Sequence, residues 1–132
     1  METNNWSNGP RISNKRSEHG CFSIKHNNMI TQIVVMGGYH TGSSTEVLDV
    51  NSMRWKTGPA LPTSVTHNKG VQSEVRPYLG FSTGGRGQYS FKIYGLKKKT
   101  EDSFDWEEVH GMITARWLHS VVNAPKSLLQ NC

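Results

Sequence analysis

Apolar residues fall along this chain in short bursts, each stopped by glycine, proline or a polar turn. Ile30 to Met36 is nearly continuous and rich in Ile and Val, the pattern of a strand buried on both faces. It halts at Gly37-Gly38, where glycine allows backbone conformations closed to other residues. Thr45 to Val50 alternates instead. Val47 and Asp49 fall on one side, and Glu46, Leu48 and Val50 on the other, which predicts a strand of mixed burial. Asn51-Ser52 predicts a tight turn, and Arg54 to Lys56, around Trp55, a short outer strand. Gly20 to Lys25 predicts a strand ahead of these. The same grammar then returns. A strand is expected within Thr66 to Val75, with Val71 and Val75 inward. Tyr78 to Thr83 ends at Gly84-Gly85; Phe91 to Leu96 follows, then Asp105 to Val109 around Trp106. Arg116 to Val122 predicts the first strand of one more unit. No stretch has the period of an amphipathic helix, so the chain reads as all-β.

The recurrence has a period. Trp6, Trp55 and Trp106 recur at intervals of 49 and 51 residues. Turn elements follow each of them at Gly9-Pro10, Gly58-Pro59 and Gly111-Met112. The paired glycines recur too, and His19, His67 and His119 read as a further marker in equivalent places. A period near 50 residues is the mark of a repeat architecture in which each unit stacks on the next. The divisions are residues 1–16, the closing strand of a preceding unit; 17–63, unit one; 64–115, unit two; and 116–132, the start of a third unit and a tail.

Composition narrows the function without naming it. The chain has 132 residues, 34% hydrophobic and 19% charged, which suits a turn-rich globular protein and excludes disorder. The net charge of +5 is spread along the chain and forms no basic stripe, so nucleic acid is not the expected partner. No run reaches the length of a membrane helix. Two cysteines, Cys21 and Cys132, make no disulfide framework, and METNNWSNGP is not a secretory signal. These features predict reduced thiols and a cytoplasmic location. Asn5-Trp6-Ser7 matches a glycosylation acceptor and, without an export signal, reads as chance.

The residues now carry a resemblance. Four apolar residues, Ile33 to Met36, then Gly37-Gly38, then Leu48 and, six residues further, Trp55 resemble the kelch motif. The second unit repeats it with Gly84, Gly85, Tyr94 and Trp106, where Tyr94 takes the place of Leu48 and the added residues fall in Lys97 to Phe104. The resemblance implies an incomplete kelch β-propeller, with two four-stranded antiparallel blades plus flanking strands. It implies that Trp55 and Trp106 lie on outer strands and pack between sheets. Propellers close on four to eight blades as a rule. Two blades leave bare faces, so the chain reads as a fragment or truncated product of a larger protein, as a self-associating unit, or as one that docks on a partner.

Candidate chemistry is sparse. Gly84-Gly85-Arg86-Gly87 lacks the Lys-Ser/Thr and the helix of a phosphate loop and reads as a turn. The six histidines show no helical ligand pair, and no Cys-x-x-Cys is present, so no metal or other cofactor is expected. Lys97-Lys98-Lys99 reads as a solvated loop. The family also contains a copper oxidase with Tyr, His and a Cys–Tyr crosslink. A remnant of such an enzyme is the alternative, with Cys21, Tyr39, Tyr78, Tyr89 and Tyr94 as the residue types available. The favoured reading is a non-catalytic module for protein–protein interaction. In a four-stranded blade, the loop between the second and third strands and the crossing to the next blade open at one end. That end gathers Arg16, Tyr39, His40, Arg86, Gln88, Tyr89 and Arg116 as candidates to hold a protein or acidic peptide. Arginine suits the task because its planar fork grips carboxylates with two hydrogen bonds.

Overall fold

The computed structural model of the chain describes residues 5–86, 91–101 and 103–123. Gln88, Tyr89 and Cys132 lie outside them. The described residues form strands and connections with no helix. The first sheet holds β1 (Gly20–His26), β2 (Met29–Met36), β3 (Thr45–Asp49) and β4 (Arg54–Thr57). The second holds β5 (Lys69–Gln72), β6 (Tyr78–Thr83), β7 (Lys92–Lys98) and β8 (Phe104–Gly111). Each sheet is antiparallel, with its strands side by side in chain order.

The local chemistry follows the sequence. β1 turns into β2 at Asn27 and Asn28, both at positive φ (50° and 63°), the two-residue turn whose twist matches a hairpin. β2 and β6 each stop at a glycine pair with positive φ, Gly37-Gly38 and Gly84-Gly85. A Cβ at Gly84 would come within 2.5 Å of the Arg116 carbonyl and of the His119 ring, so only glycine fits there.

The register shows the two sheets to be copies. Gly20 pairs with Met36 and Phe22 with Val34; Lys69 pairs with Thr83 and Val71 with Phe81. Leu48 lies opposite Trp55, and Leu96 opposite Trp106. This corrects the place of Tyr94. Leu96, not Tyr94, stands where Leu48 does, and Tyr94 matches Glu46. The extra length of the second unit therefore falls in β7, β8 and the connection between them.

The sheets lie side by side around one core. Phe22, Ile24, Val34, Met36 and Val47 from the first sheet meet Tyr94, Leu96 and Trp106 from the second. Leu61 and Val65 of the connecting segment are buried with them. Phe22 and Trp106 meet edge to face with ring centres 6.3 Å apart, an arrangement favoured by the ring quadrupoles. Both tryptophans of the repeat make the same bond: Trp55 Nε1 donates to the Pro10 carbonyl and Trp106 Nε1 to the Pro59 carbonyl, each at 3.0 Å.

Several expectations change. Trp6 is fully exposed and no strand forms over residues 5–16. Residues 116–122 are not a strand either. The reason is the register. Arg116 to His119 match Val65 to Asn68, which precede β5, and a strand from residue 120 has no neighbour to pair with among the described residues. Val75 is exposed in the β5–β6 turn rather than inward. The histidine marker is also out of phase. His19, Asn68 and His119 are the equivalent residues, at the tryptophans' own intervals of 49 and 51, and His67 lies one position earlier. Glu18, His67 and Leu118 share that earlier position and share positive φ (55°, 58° and 54°).

Candidate functional site

The β2–β3 connections and the crossings between units meet at one end of the molecule. Backbone bridges tie them, Ser17 to Tyr39 in the first unit and Thr66 to Arg86 in the second. The glycine pairs dock the next crossing: Gly38 N donates to the Val65 carbonyl at 2.9 Å, and Gly85 N to the Arg116 carbonyl at 2.8 Å. Of the residues expected at this end, the structure brings Tyr39 and Arg86 together, with His40 against Tyr39.

Here an open depression of about 600 Å³ is lined by Ser17, Glu18 and Tyr39 from the first unit and by Thr66, His67 and Arg86 from the second. His67 is its fixed centre. Its Nε2 lies 3.2 Å from Glu18 Oε1, and its Nδ1 lies 3.2 Å from Thr66 Oγ1. Its backbone N–H donates to the Glu18 carbonyl at 2.7 Å. Trp117 stands edge to face with the His67 ring at 5.8 Å, and the Arg86 guanidinium lies 6.0 Å from the Trp117 ring centre, a cation–π contact. Across the depression, Tyr39 and His40 pair edge to face at 4.3 Å. Tyr39, His40, Arg86 and Trp117 are exposed. Aromatic walls with an oriented guanidinium can hold a carboxylate through the arginine and an apolar side chain against the rings.

Arg16 does not belong to this surface. Its guanidinium donates to the carbonyls of Gly37 (2.9 Å) and Ser44 (3.1 Å), to Ser44 Oγ (3.0 Å) and to Glu46 Oε2 (2.6 Å). Only 1% of the Arg16 side chain and 3% of that of Glu46 are exposed, so the pair is a brace inside the fold and not a ligand site. Burial acts to raise the Glu46 carboxyl, but hydrogen bonds from Arg16 and Ser13 outweigh it and hold its pKa below the ordinary value. Arg116 is exposed, and it is its backbone carbonyl that docks on Gly85. Its neighbour Trp117, rather than Arg116 itself, makes the contacts to His67 and Arg86.

His19 and His119 stay behind the surface as parts of the crossings. His119 Nε2 lies 2.9 Å from Thr83 Oγ1, and Asn68, in the equivalent place, donates to Ser82 Oγ at 3.0 Å. Burial, with Arg16 and Lys69 nearby, lowers the His19 pKa. Burial, with Lys69 and Arg116 nearby, lowers that of His119. The lysine run is spoken for in part: Lys97 pairs with Glu107, and Lys98 lies 3.8 Å from Glu101. Cys21 is a free, exposed thiol. Among the described residues no three His, Cys, Asp or Glu side chains gather as a metal would need, and no helix is long and apolar enough to cross a membrane.

Glu18, His67, Thr66 and Trp117 went unseen in the sequence as site residues. The intervals of 49 and 51 carried the signal, because applied to the histidines they set His67 apart from the docking position. No protein-family model matches this chain, and no curated protein is significantly similar to it.

Proposed function

We propose that the chain is a kelch-type protein-interaction module that uses this loop end to hold an acidic segment of a partner protein in the cytoplasm. One observation carries the reading. Arg86 is exposed and oriented over Trp117, at a depression to which the loops of both units contribute aromatic or polar walls. An arginine held this way loses little freedom on gripping a carboxylate, which favours affinity. The Glu18 carboxylate is turned to His67, so it does not compete for the guanidinium. The groups are set for recognition rather than for turnover.

Binding of an acidic peptide library to the chain, read by fluorescence anisotropy, tests this. Arg86→Ala should weaken capture by about tenfold, the usual size of an arginine anchor. Arg86→Lys should recover only part of it, since a lysine makes a single point contact. Peptide capture that is indifferent to Arg86 would end the proposal.

A further inference from the structure

Among the described residues, the contact between the two sheets has a counterpart on each side of the molecule that no further strand covers. The first sheet turns Phe22, Val34 and Met36 toward the second. By register, the matching residues of the second sheet are Val71, Phe81 and Thr83. Val71 and Phe81, both half-buried, face away from the core, beside Tyr78, which meets Phe81 at 5.2 Å, and Val109, which is 39% exposed; Thr83 on that side is already covered in part, its Oγ1 2.9 Å from His119 Nε2. The second sheet receives the first on Gly70, Gly80, Leu96 and Trp106. The matching residues of the first sheet are Cys21, Ile33, Leu48 and Trp55, again on the outward side. That side already carries the segment that would line such a contact. Pro10 accepts from Trp55 there, as Pro59 accepts from Trp106 inside the molecule.

The two outward sides also complement each other in size. Inside the molecule a large residue sits on a small one: the Phe22 ring fills the place of a Gly80 Cβ, which would meet it at 2.3 Å, and Met36 Cε lies 2.7 Å from that of Gly70. On the outward sides the sizes are exchanged, so that Val71 would meet Ile33 and Thr83 would meet Cys21. The Thr83–Cys21 pair keeps the total volume of Met36–Gly70, the case packing tolerates best, and the Val71–Ile33 pair is bulkier than Phe22–Gly80 by about two methylenes. We propose that copies of this chain associate head to tail, the outward side of the second sheet in one copy seating on the outward side of the first sheet in the next. The contact is heterologous, so each copy offers two different surfaces. One position limits its strength. Cys21 stands where Gly70 lets the inner strands approach, since a Cβ at Gly70 would lie 2.4 Å from the Cys21 carbonyl. The inner strands therefore sit further apart between copies than within one.

Sedimentation equilibrium of the full chain tests this. Its mean mass should rise with concentration. Val109→Glu, on the second sheet, and Cys21→Glu, on the first, alter exposed side chains and leave the fold intact, which circular dichroism checks. Each variant alone should be monomeric, while a mixture of equal parts should restore association, because each retains the surface the other has lost. Cys21→Gly should tighten association by about tenfold. A chain that stays monomeric at all concentrations overturns the proposal. So does unchanged association in Val109→Glu, or a mixture of the two variants that stays monomeric.

Discussion

The two sheets meet the same problem at the same place and solve it with different chemistry. In each unit the segment crossing in from the preceding strand must be fastened to the third strand. In the first unit a buried ion pair does this: Arg16 spans the carbonyls of Gly37 and Ser44 and reaches Glu46, while Ser13 N donates to the same carboxylate at 2.9 Å. In the second unit Arg16 is matched by Val65, 3% exposed, and Glu46 by Tyr94, whose hydroxyl lies 3.1 Å from that of Thr63. The charged solution fixes more backbone groups and depends on both partners. The apolar one depends on packing and one neutral hydrogen bond. A buried ion pair is costly to break and often neutral to replace whole, so the two units should differ most when a single partner is removed.

The largest effect is therefore expected from Arg16→Ala. It leaves the buried Glu46 carboxylate without its charged partner and takes one of two donors from the Gly37 and Ser44 carbonyls, and should cost about 3–5 kcal/mol in urea unfolding. Arg16→Val with Glu46→Tyr installs the second unit's chemistry in the first and should recover more than half of that loss. A double variant no more stable than the single one would show that the two fastenings are not interchangeable.

Close packing gives the next effect. Gly80→Ala places a methyl group against the Phe22 ring and should cost roughly 1–3 kcal/mol by overpacking. Phe22→Leu in the same chain should return part of it, because the two changes share one contact.

A smaller difference separates the tryptophans. Trp55→Phe and Trp106→Phe each delete one indole hydrogen bond, a loss of about 0.5–1.5 kcal/mol in unfolding experiments. The Trp106 change should be the more costly, since that ring is buried among Phe22 and its neighbours and Trp55 is half-buried.

Acid should separate the units more gently. Glu46 has a folded pKa below its ordinary 4.5, so its contribution is complete above that value and is lost as pH falls through the folded pKa. No carboxylate stands at the matching place in the second unit. Hydrogen exchange at low pH should thus open residues 9–16 before residues 58–65. His19 and His119, with folded pKa values below 6.5, act in the same direction at higher pH. They stabilise fully above 6.5, and that stability is lost as pH falls through their folded values.

The strands were legible because their signals are local. An apolar run closed by two glycines, or an alternating run closed by Asn51-Ser52, needs no knowledge of the rest of the chain. The bounds that the sequence predicts for β6, Tyr78–Thr83, are the observed ones for this reason. The brace was not legible. Arg16 and Glu46 are 30 residues apart, and each alone reads as a surface charge, which places Arg16 on the binding surface. Residues 116–122 failed differently. Their composition suits a strand, but a strand forms only beside another, and composition does not supply the neighbour. The loop end was half visible. Tyr39 and Arg86 followed from topology, whereas Glu18 and His67 needed the repeat to be phased to the single residue.

The central claim is that each unit is fastened by the same tryptophan-to-proline bond at the same point of the repeat. Hydrogen exchange of the four indole N–H groups, assigned by single Trp→Phe changes, tests it most directly. Trp106 should be protected and, more weakly, Trp55, with Trp6 exchanging freely. An unprotected Trp106, or protection at Trp6 in place of Trp55, would contradict it.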